Sequence, residues 1–232
     1  MHYAWVWPAV VNVWESRALV RRIDRPSMLV PPQMRTWVRG MSLAQRLDLE
    51  GRLNTQALHG DKVVVLASSR GWSEVRVLSQ TGGHFPNGIV GWVVSKQLQS
   101  TAVSHAAFRQ ARTVRNEIAN ARRFLGIVYL WAGMSSYGID CSGLVYDVFR
   151  TMNIVLPRDA ADQSRVGYAV ARRHLIPGDL VFFGRGAWSN IHHVGIYLGN
   201  GLMLHAPHTG STVRISALST FTDYWGARRI IR

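Results

Sequence analysis

One cysteine and nine histidines are the only side chains in this 232-residue sequence that join nucleophilicity or proton transfer to titration near neutral pH. Cys141 stands in Gly138-Ile139-Asp140-Cys141-Ser142-Gly143. There a glycine-flanked loop runs into a segment whose Leu144, Val145, Val148 and Phe149 share one helical face. The N–H groups at a helix start favour an anion, so the position predicts a lowered thiol pKa and a cradle for an oxyanion. A lone cysteine is more often a small buried hydrophobe, so a partner base has to be found. In Ile191-His192-His193-Val194-Gly195-Ile196-Tyr197-Leu198-Gly199, alternation puts Val194, Ile196 and Leu198 on one face and His193, Gly195 and Tyr197 on the other. His193 thus points away from the apolar face, beside a glycine that leaves room for another chain or a substrate. His192 falls on the opposite face or ahead of the strand. His205, in Leu202-Met203-Leu204-His205-Ala206-Pro207, would lie on a neighbouring strand and orient the first imidazole. The rival chemistry is zinc held by Cys141, His193, His205 and His208, but none of these has the short paired spacing typical of zinc ligands.

The elements that must position these groups fall into two parts. Residues 1–100 read as all-β: short Val- and Trp-rich runs (Val10–Val13, Val63–Leu66, Val75–Leu78, Ile89–Val94) alternate with turn signals such as Asn87-Gly88. That spacing suits a small barrel. Residues 17–53, with Pro26, Pro31 and Pro32, read as an enlarged irregular loop, and 101–112 as a linker. Residues 113–232 open on a helix through Val114, Ile118, Ala121 and Leu125, continue with the helix after Cys141, and allow a short helix across Asp159–Gly167. Strands follow at Leu180–Phe183, His193–Leu198, Met203–Ala206 and Trp225–Ile231. Helices first and strands afterwards predict an α+β fold on an antiparallel sheet.

Composition bounds the function. Apolar residues make up 47% and charged residues 17%, as in a folded domain with a real core. The net charge of +14 is almost all arginine, Lys62 and Lys96 being the only lysines. Such a surface suits polyanions, acidic membranes or anionic wall polymers, yet no run of five like charges marks a nucleic-acid arm. A single cysteine rules out an intrachain disulfide. The start, with no basic leader and with Pro8, does not read as a secretory signal, and no apolar stretch approaches the roughly 20 residues of a membrane span. The expectation is a cytoplasmic protein, or a secreted or wall-associated one if the chain is a trimmed form.

The motifs occur in a familiar order. Tyr129-Leu130-Trp131-Ala132-Gly133, Asp140-Cys141-Ser142-Gly143-Leu144-Val145, Leu156-Pro157-Arg158-Asp159-Ala160, Pro177-Gly178-Asp179-Leu180-Val181-Phe182-Phe183, His193 to Gly199 and His205-Ala206 resemble the successive motifs of the NlpC/p60 cysteine peptidases. The likeness runs over residues 119–232 and is strongest to the dipeptidyl-peptidase VI branch, the γ-D-glutamyl-L-diamino acid endopeptidases. Residues 1–100 are similar to the bacterial SH3-like domain of that branch in Val10-Val11-Asn12-Val13, Ala57 to Leu66, Gly71-Trp72 and Gly91-Trp92-Val93, with the 17–53 insertion departing from the compact pattern. The resemblance implies a papain-like catalytic domain behind an SH3-like barrel, with no metal or organic cofactor. It implies Cys141 as nucleophile, His193 as general base and acid, and His205 as its orienter. Tyr129 would lie near the oxyanion, while Asp140, Ser142 and Asp159 would contact a substrate with a free α-amine. An acidic residue of the first domain (Asp48, Glu50, Asp61 or Glu74) would share in that selectivity. The implied partners are peptidoglycan-derived peptides; anionic wall polymers are also compatible with the charge, whereas nucleic acid is not expected. Two rivals stand beside this reading: a Cys-His-His amidase or acyltransferase on the same fold, and a wall-binding module with an idle catalytic domain.

Overall fold

A computed structural model of the chain, which describes residues 1–83, 85–102 and 113–231, divides into two units. The first comprises Met1–Ala106 with Leu130–Gly138, the second Ala107–Tyr129 with Ile139–Arg232. Most of the expected 101–112 linker lies outside the described residues.

In the first unit, strands β1 (His2–Val6), β2 (Val10–Trp14), β3 (Leu53–Leu58), β4 (Lys62–Ser69), β5 (Trp72–Val77), β6 (Ile89–Val94) and β7 (Leu98–Gln99) form one antiparallel sheet in the order β3-β2-β6-β5-β4-β1-β7. Alternating residues on one face, among them Val6, Val11, Val13, Val63, Val65, Val75, Val77 and Val93, make its core. Period-2 burial is cleanest in β5 and β6, where β-branched side chains fit a half-buried pleat.

The 17–53 insertion is not an irregular loop. It holds two 3-10 segments (Arg17–Leu19 and Arg22–Met28) and two helices, α1 (Met34–Gly40) and α2 (Leu43–Leu47). Ser42 and Gln45 form a reciprocal capping box that starts α2. Fully buried Asp24 accepts the Trp37 indole N–H at 2.9 Å and pairs with Arg21, so the insertion has its own polar pin.

Leu130–Gly138 also belongs to the first unit, with short strands β8 (Met134–Ser135) and β9 (Gly138–Ile139) pairing across the turn. The Gln56 side-chain carbonyl accepts the backbone N–H of Met134 and the hydroxyl of Ser135. A Cβ on Gly138 would sit 2.6 Å from that of Leu130, so only glycine allows the approach.

The second unit is α+β. Helices α3 (Val114–Arg122), α4 (Cys141–Arg150) and α5 (Ala160–Gln163) accompany strands β10 (Tyr168–Val170), β11 (Leu180–Gly184), β12 (Ile191–Gly199), β13 (Leu202–His205), β14 (Arg214–Ala217) and β15 (Tyr224–Arg229). The sheet is antiparallel in the order β10-β15-β11-β12-β13-β14. Leu144, Val145, Val148 and Phe149 of α4 pack with Leu180, Phe182, Val194, Ile196 and Leu204 of the sheet. Each such side chain contributes about 2 kcal/mol by leaving water. Among the described residues no helix is long and apolar enough to cross a membrane.

Candidate active site

Cys141 is the first residue of α4, and its neighbour sets the helix start. Asp140, in extended backbone geometry, accepts the Gly143 N–H at 2.6 Å and so caps α4. Both Asp140 oxygens also receive the guanidinium of Arg158, at 3.1 and 2.6 Å, and the same guanidinium reaches the Ser142 hydroxyl at 2.9 Å. All three side chains are buried, so this fork fixes the turn that presents the thiol. Asp140 and Ser142, expected to contact substrate, are therefore held by Arg158 and the helix cap. The sequence reading did not single out Arg158, although it stands beside Asp159 in the same motif.

Burial overturns the expected lowered pKa. The Cys141 thiol is pushed up to about 12, first by loss of solvent and then by the Asp140 carboxylate. Backbone N–H groups of Val194 and Ser142, together with Arg158, act in the opposite direction and lose. The Val194 contact seats the sulfur against β12, one residue from His193.

His193 and His205 are brought together as expected from the strands. His193 Nε2 and His205 Nδ1 are 2.8 Å apart, and His205 Nε2 lies 3.0 Å from the Ser216 hydroxyl on β14. Ser216 extends the line to a third strand, and nothing in its sequence context marks it. A β-bulge aims the first imidazole: Phe183 of β11 pairs with His193 and Gly184 with Ile191, leaving His192 as the extra residue. The other neighbour of β11 bulges at the same level, Phe182 facing Gly226 and Phe183 facing Tyr224. Phe183 and Phe221 flank the His193 ring, with Phe221 nearly parallel to it at 6.3 Å and edge-on to His205. This apolar wall, with His205, His192 and His208 nearby, pulls His193 down to about 3. Burial, then Arg214 and His208, pulls His205 down to about 4. At neutral pH the resting site is a neutral thiol beside neutral imidazoles.

The room beside Gly195 is taken by the neighbouring strand: a Cβ there would stand 3.0 Å from Met203 Sδ and 3.2 Å from His205 Cβ. Close packing of β12 on β13 is thus what brings the two histidines within reach. Tyr129 is buried, its backbone bridging Ile139 and donating to the Ser211 carbonyl. Asp159 is exposed at the start of α5 without a side-chain capping bond. His192 is exposed and meets Asp223 at 2.9 Å, and His208 bonds to the adjacent Thr209 carbonyl. Among the described residues no group of three or more His, Cys, Asp or Glu is arranged to hold a metal. Of the acidic residues of the first unit, Asp48 pairs with Arg21 and Arg52, and Asp61 closes a turn through the Leu58 N–H.

The arrangement can pass a proton from sulfur to an imidazole and hold that imidazole from behind, which is acyl-transfer chemistry. Comparison with known proteins agrees. The model of the NlpC/P60 family matches residues 126–231. A γ-D-glutamyl-L-lysine dipeptidyl-peptidase of Bacillus subtilis is 31% identical over 91% of this chain and 92% of its own length. A second protein so named, from Bacillus cereus, is 29% identical over 96% and 89%. The crystal structure of an NlpC/P60 family protein from Bacillus cereus superposes with a TM-score of 0.90 at 26% identity, covering 99% of this chain and all of that one.

Proposed function

The chain belongs to the NlpC/P60 family of cysteine peptidases, and from that premise we propose that it hydrolyses the γ-D-glutamyl–diamino acid amide of short cell-wall peptides. The observation that carries the mechanism is the line His193–His205–Ser216 beside a cysteine at a helix start. If His205 donates Nε2–H to Ser216, its Nδ1 accepts Nε2–H of His193. His193 Nδ1 is then unprotonated, as a base requires.

Cys141 gives its proton to His193 Nδ1 as the sulfur bonds to the γ-glutamyl carbonyl carbon. The resting neutral pair makes this transfer part of substrate attack rather than a step completed beforehand. The Cys141 N–H, at the open end of α4, and Tyr129 serve the oxyanion. His193 returns its proton to the leaving α-amine. Water, activated by the same imidazole, then releases the γ-glutamyl acid from sulfur. We assign substrate contact to Asp159, an exposed acid at the start of α5, before Asp140, whose oxygens Arg158 holds. The first unit fits the reading of an SH3-like barrel enlarged by its helical insertion.

Incubating the parent and Cys141→Ala with L-Ala-γ-D-Glu-L-Lys and its diaminopimelate counterpart, read by mass spectrometry, tests the assignment. The parent should release L-Ala-γ-D-Glu and the variant none. Intact peptides with the parent, alongside wall pelleting that survives Cys141→Ala, would favour the adhesion reading. N-acetylated peptides should be cut at least about tenfold more slowly if a free amine is read, a difference of about 1.4 kcal/mol. Equal cleavage would remove that selectivity and leave the peptidase.

A further inference from the structure

The helical insertion of the first unit concentrates charge. Residues 17–53 hold eight arginines against Asp24, Asp48 and Glu50, a net of +5 out of the chain's +14. The cations sort into two groups. Arg21 and Arg52 are tied to Asp24 and Asp48. Arg22, Arg25, Arg35 and Arg39 are exposed and form no ion pair among the described residues. Their spacing makes two ridges. Arg22 and Arg25, three apart in a 3-10 segment, eclipse one another, and Arg35 and Arg39, four apart on α1, share a face. α1 and that 3-10 segment pack together, with Trp37 donating to Asp24 between them. The insertion also leaves apolar side chains in water. Leu43 and Leu47, four apart on α2, are 50% and 56% exposed. Leu29 and Val30, after the 3-10 segment, are 45% and 43% exposed.

Unpaired arginines and bare aliphatic side chains on one short insertion are the composition of a surface that lies on a membrane, where cations meet headgroup phosphates and leucines enter the acyl boundary. A soluble polyanion would use the arginines and gain nothing from Leu43 and Leu47. We infer that the 17–53 insertion is a docking surface for an anionic phospholipid bilayer, carried by Arg22, Arg25, Arg35 and Arg39 with Leu43 and Leu47 as apolar contacts. Binding is peripheral and reversible, since the insertion offers charge and four short apolar contacts and no spanning segment.

The test floats the full chain with vesicles of phosphatidylglycerol and phosphatidylcholine, or of phosphatidylcholine alone, at 50 mM and 500 mM salt. The parent should float with the anionic vesicles at low salt, stay behind with neutral ones, and be released at high salt as screening shortens to a few ångströms. Changing Arg22, Arg25, Arg35 and Arg39 together to Gln should lower partitioning by about 100-fold or more. The same charge change at exposed Arg122, Arg123, Arg173 and Arg185 should cost far less. Leu43→Ser with Leu47→Ser should lower partitioning about tenfold. All variants should keep the parent's thermal midpoint within about 3 °C and its peptidase activity, so a folding defect is visible as such. Equal losses from the two arginine sets would reduce the effect to net charge and overturn the proposal. So would an inert leucine pair combined with displacement by soluble polyphosphate, which marks a polyanion site, or failure of the parent to float at low salt.

Discussion

At the level of single residues, the candidate nucleophile Cys141 is governed by how deeply it lies. Its place at the start of α4 was legible from Gly138 to Gly143, and so was the expectation that helix amides would lower its pKa. Depth is a property of the whole core and was not. With the thiol near 12, carbamidomethylation of Cys141 by iodoacetamide at pH 7 should be at least about 100-fold slower than that of a free cysteine peptide. The rate should rise about tenfold per pH unit, and an early plateau near pH 7 would contradict the buried neutral thiol. Ser216 makes a second prediction. Ser216→Ala removes the partner of His205 Nε2 and should lower kcat about tenfold with little change in KM, at a stability cost of about 1 kcal/mol. A fall in KM-controlled binding alone would mean that the line of imidazoles ends at His205. Cys141, His193 and His205 could be read as candidates because their chemistry is rare. Ser216, Arg158 and Phe221 could not, because serine, arginine and phenylalanine gain their roles only from what they touch.

Secondary structure was legible wherever apolar side chains repeat with a clear period. The strands around Val75, Ile89, Leu180 and Val194 and the helix after Cys141 emerge near their expected bounds. The missed strands share a different character. β3 reads Leu-Asn-Thr-Gln-Ala-Leu because Gln56 bonds to Asn12 and Thr55 to Gln80, an interior built with polar pairs. β10 and β14 lie at sheet edges or carry exposed residues, so they lack an apolar alternation. The prolines of 17–53 suggested a loop, whereas Pro26 is accommodated inside a 3-10 segment. The bulges on either side of Phe183 and the tight β12–β13 contact are likewise matters of register that composition does not record. Gly195→Ala should force Met203 and His205 apart by a few tenths of an ångström, costing about 1–3 kcal/mol. Activity should fall more than stability, because the imidazoles move before the core does. Urea unfolding and kcat on the same samples separate the two, and a wild-type kcat would show that the sheet absorbs the methyl elsewhere.

For the whole molecule, the buried titratable groups set a pH optimum. His193 and His205 have folded pKa values near 3 and 4, below their ordinary 6.5. The stability they reflect is present at pH 7 and is lost as pH falls below 6.5, when the unfolded chain takes up protons that the fold refuses. Glu117 is the reverse: buried beside Asp179, its carboxyl is pushed up to about 9, first by burial and then by that carboxylate. The fold pays an increasing penalty for it from about 4.5 to 9 as the unfolded chain ionises. Two imidazoles outweigh one carboxyl between 4.5 and 6.5, giving a net rise of about 1.4 kcal/mol per pH unit, and Glu117 alone gives a similar fall above 6.5. Stability by urea unfolding should therefore peak near pH 6.5. Glu117→Gln should flatten the alkaline limb, and an unchanged limb would place the cause elsewhere.

The course of the backbone from Tyr129 to Ile139 decides how the chain can be cut. Leu130–Gly138 folds among the residues of the first unit, while the stretches on both sides fold in the second. The two units are therefore not beads joined at one string, and no single cut or splice separates them cleanly. A fragment holding only the catalytic part would carry Met134, fully buried here, without Gln56, whose side-chain carbonyl accepts its N–H. Removing the first unit would therefore strand that stretch.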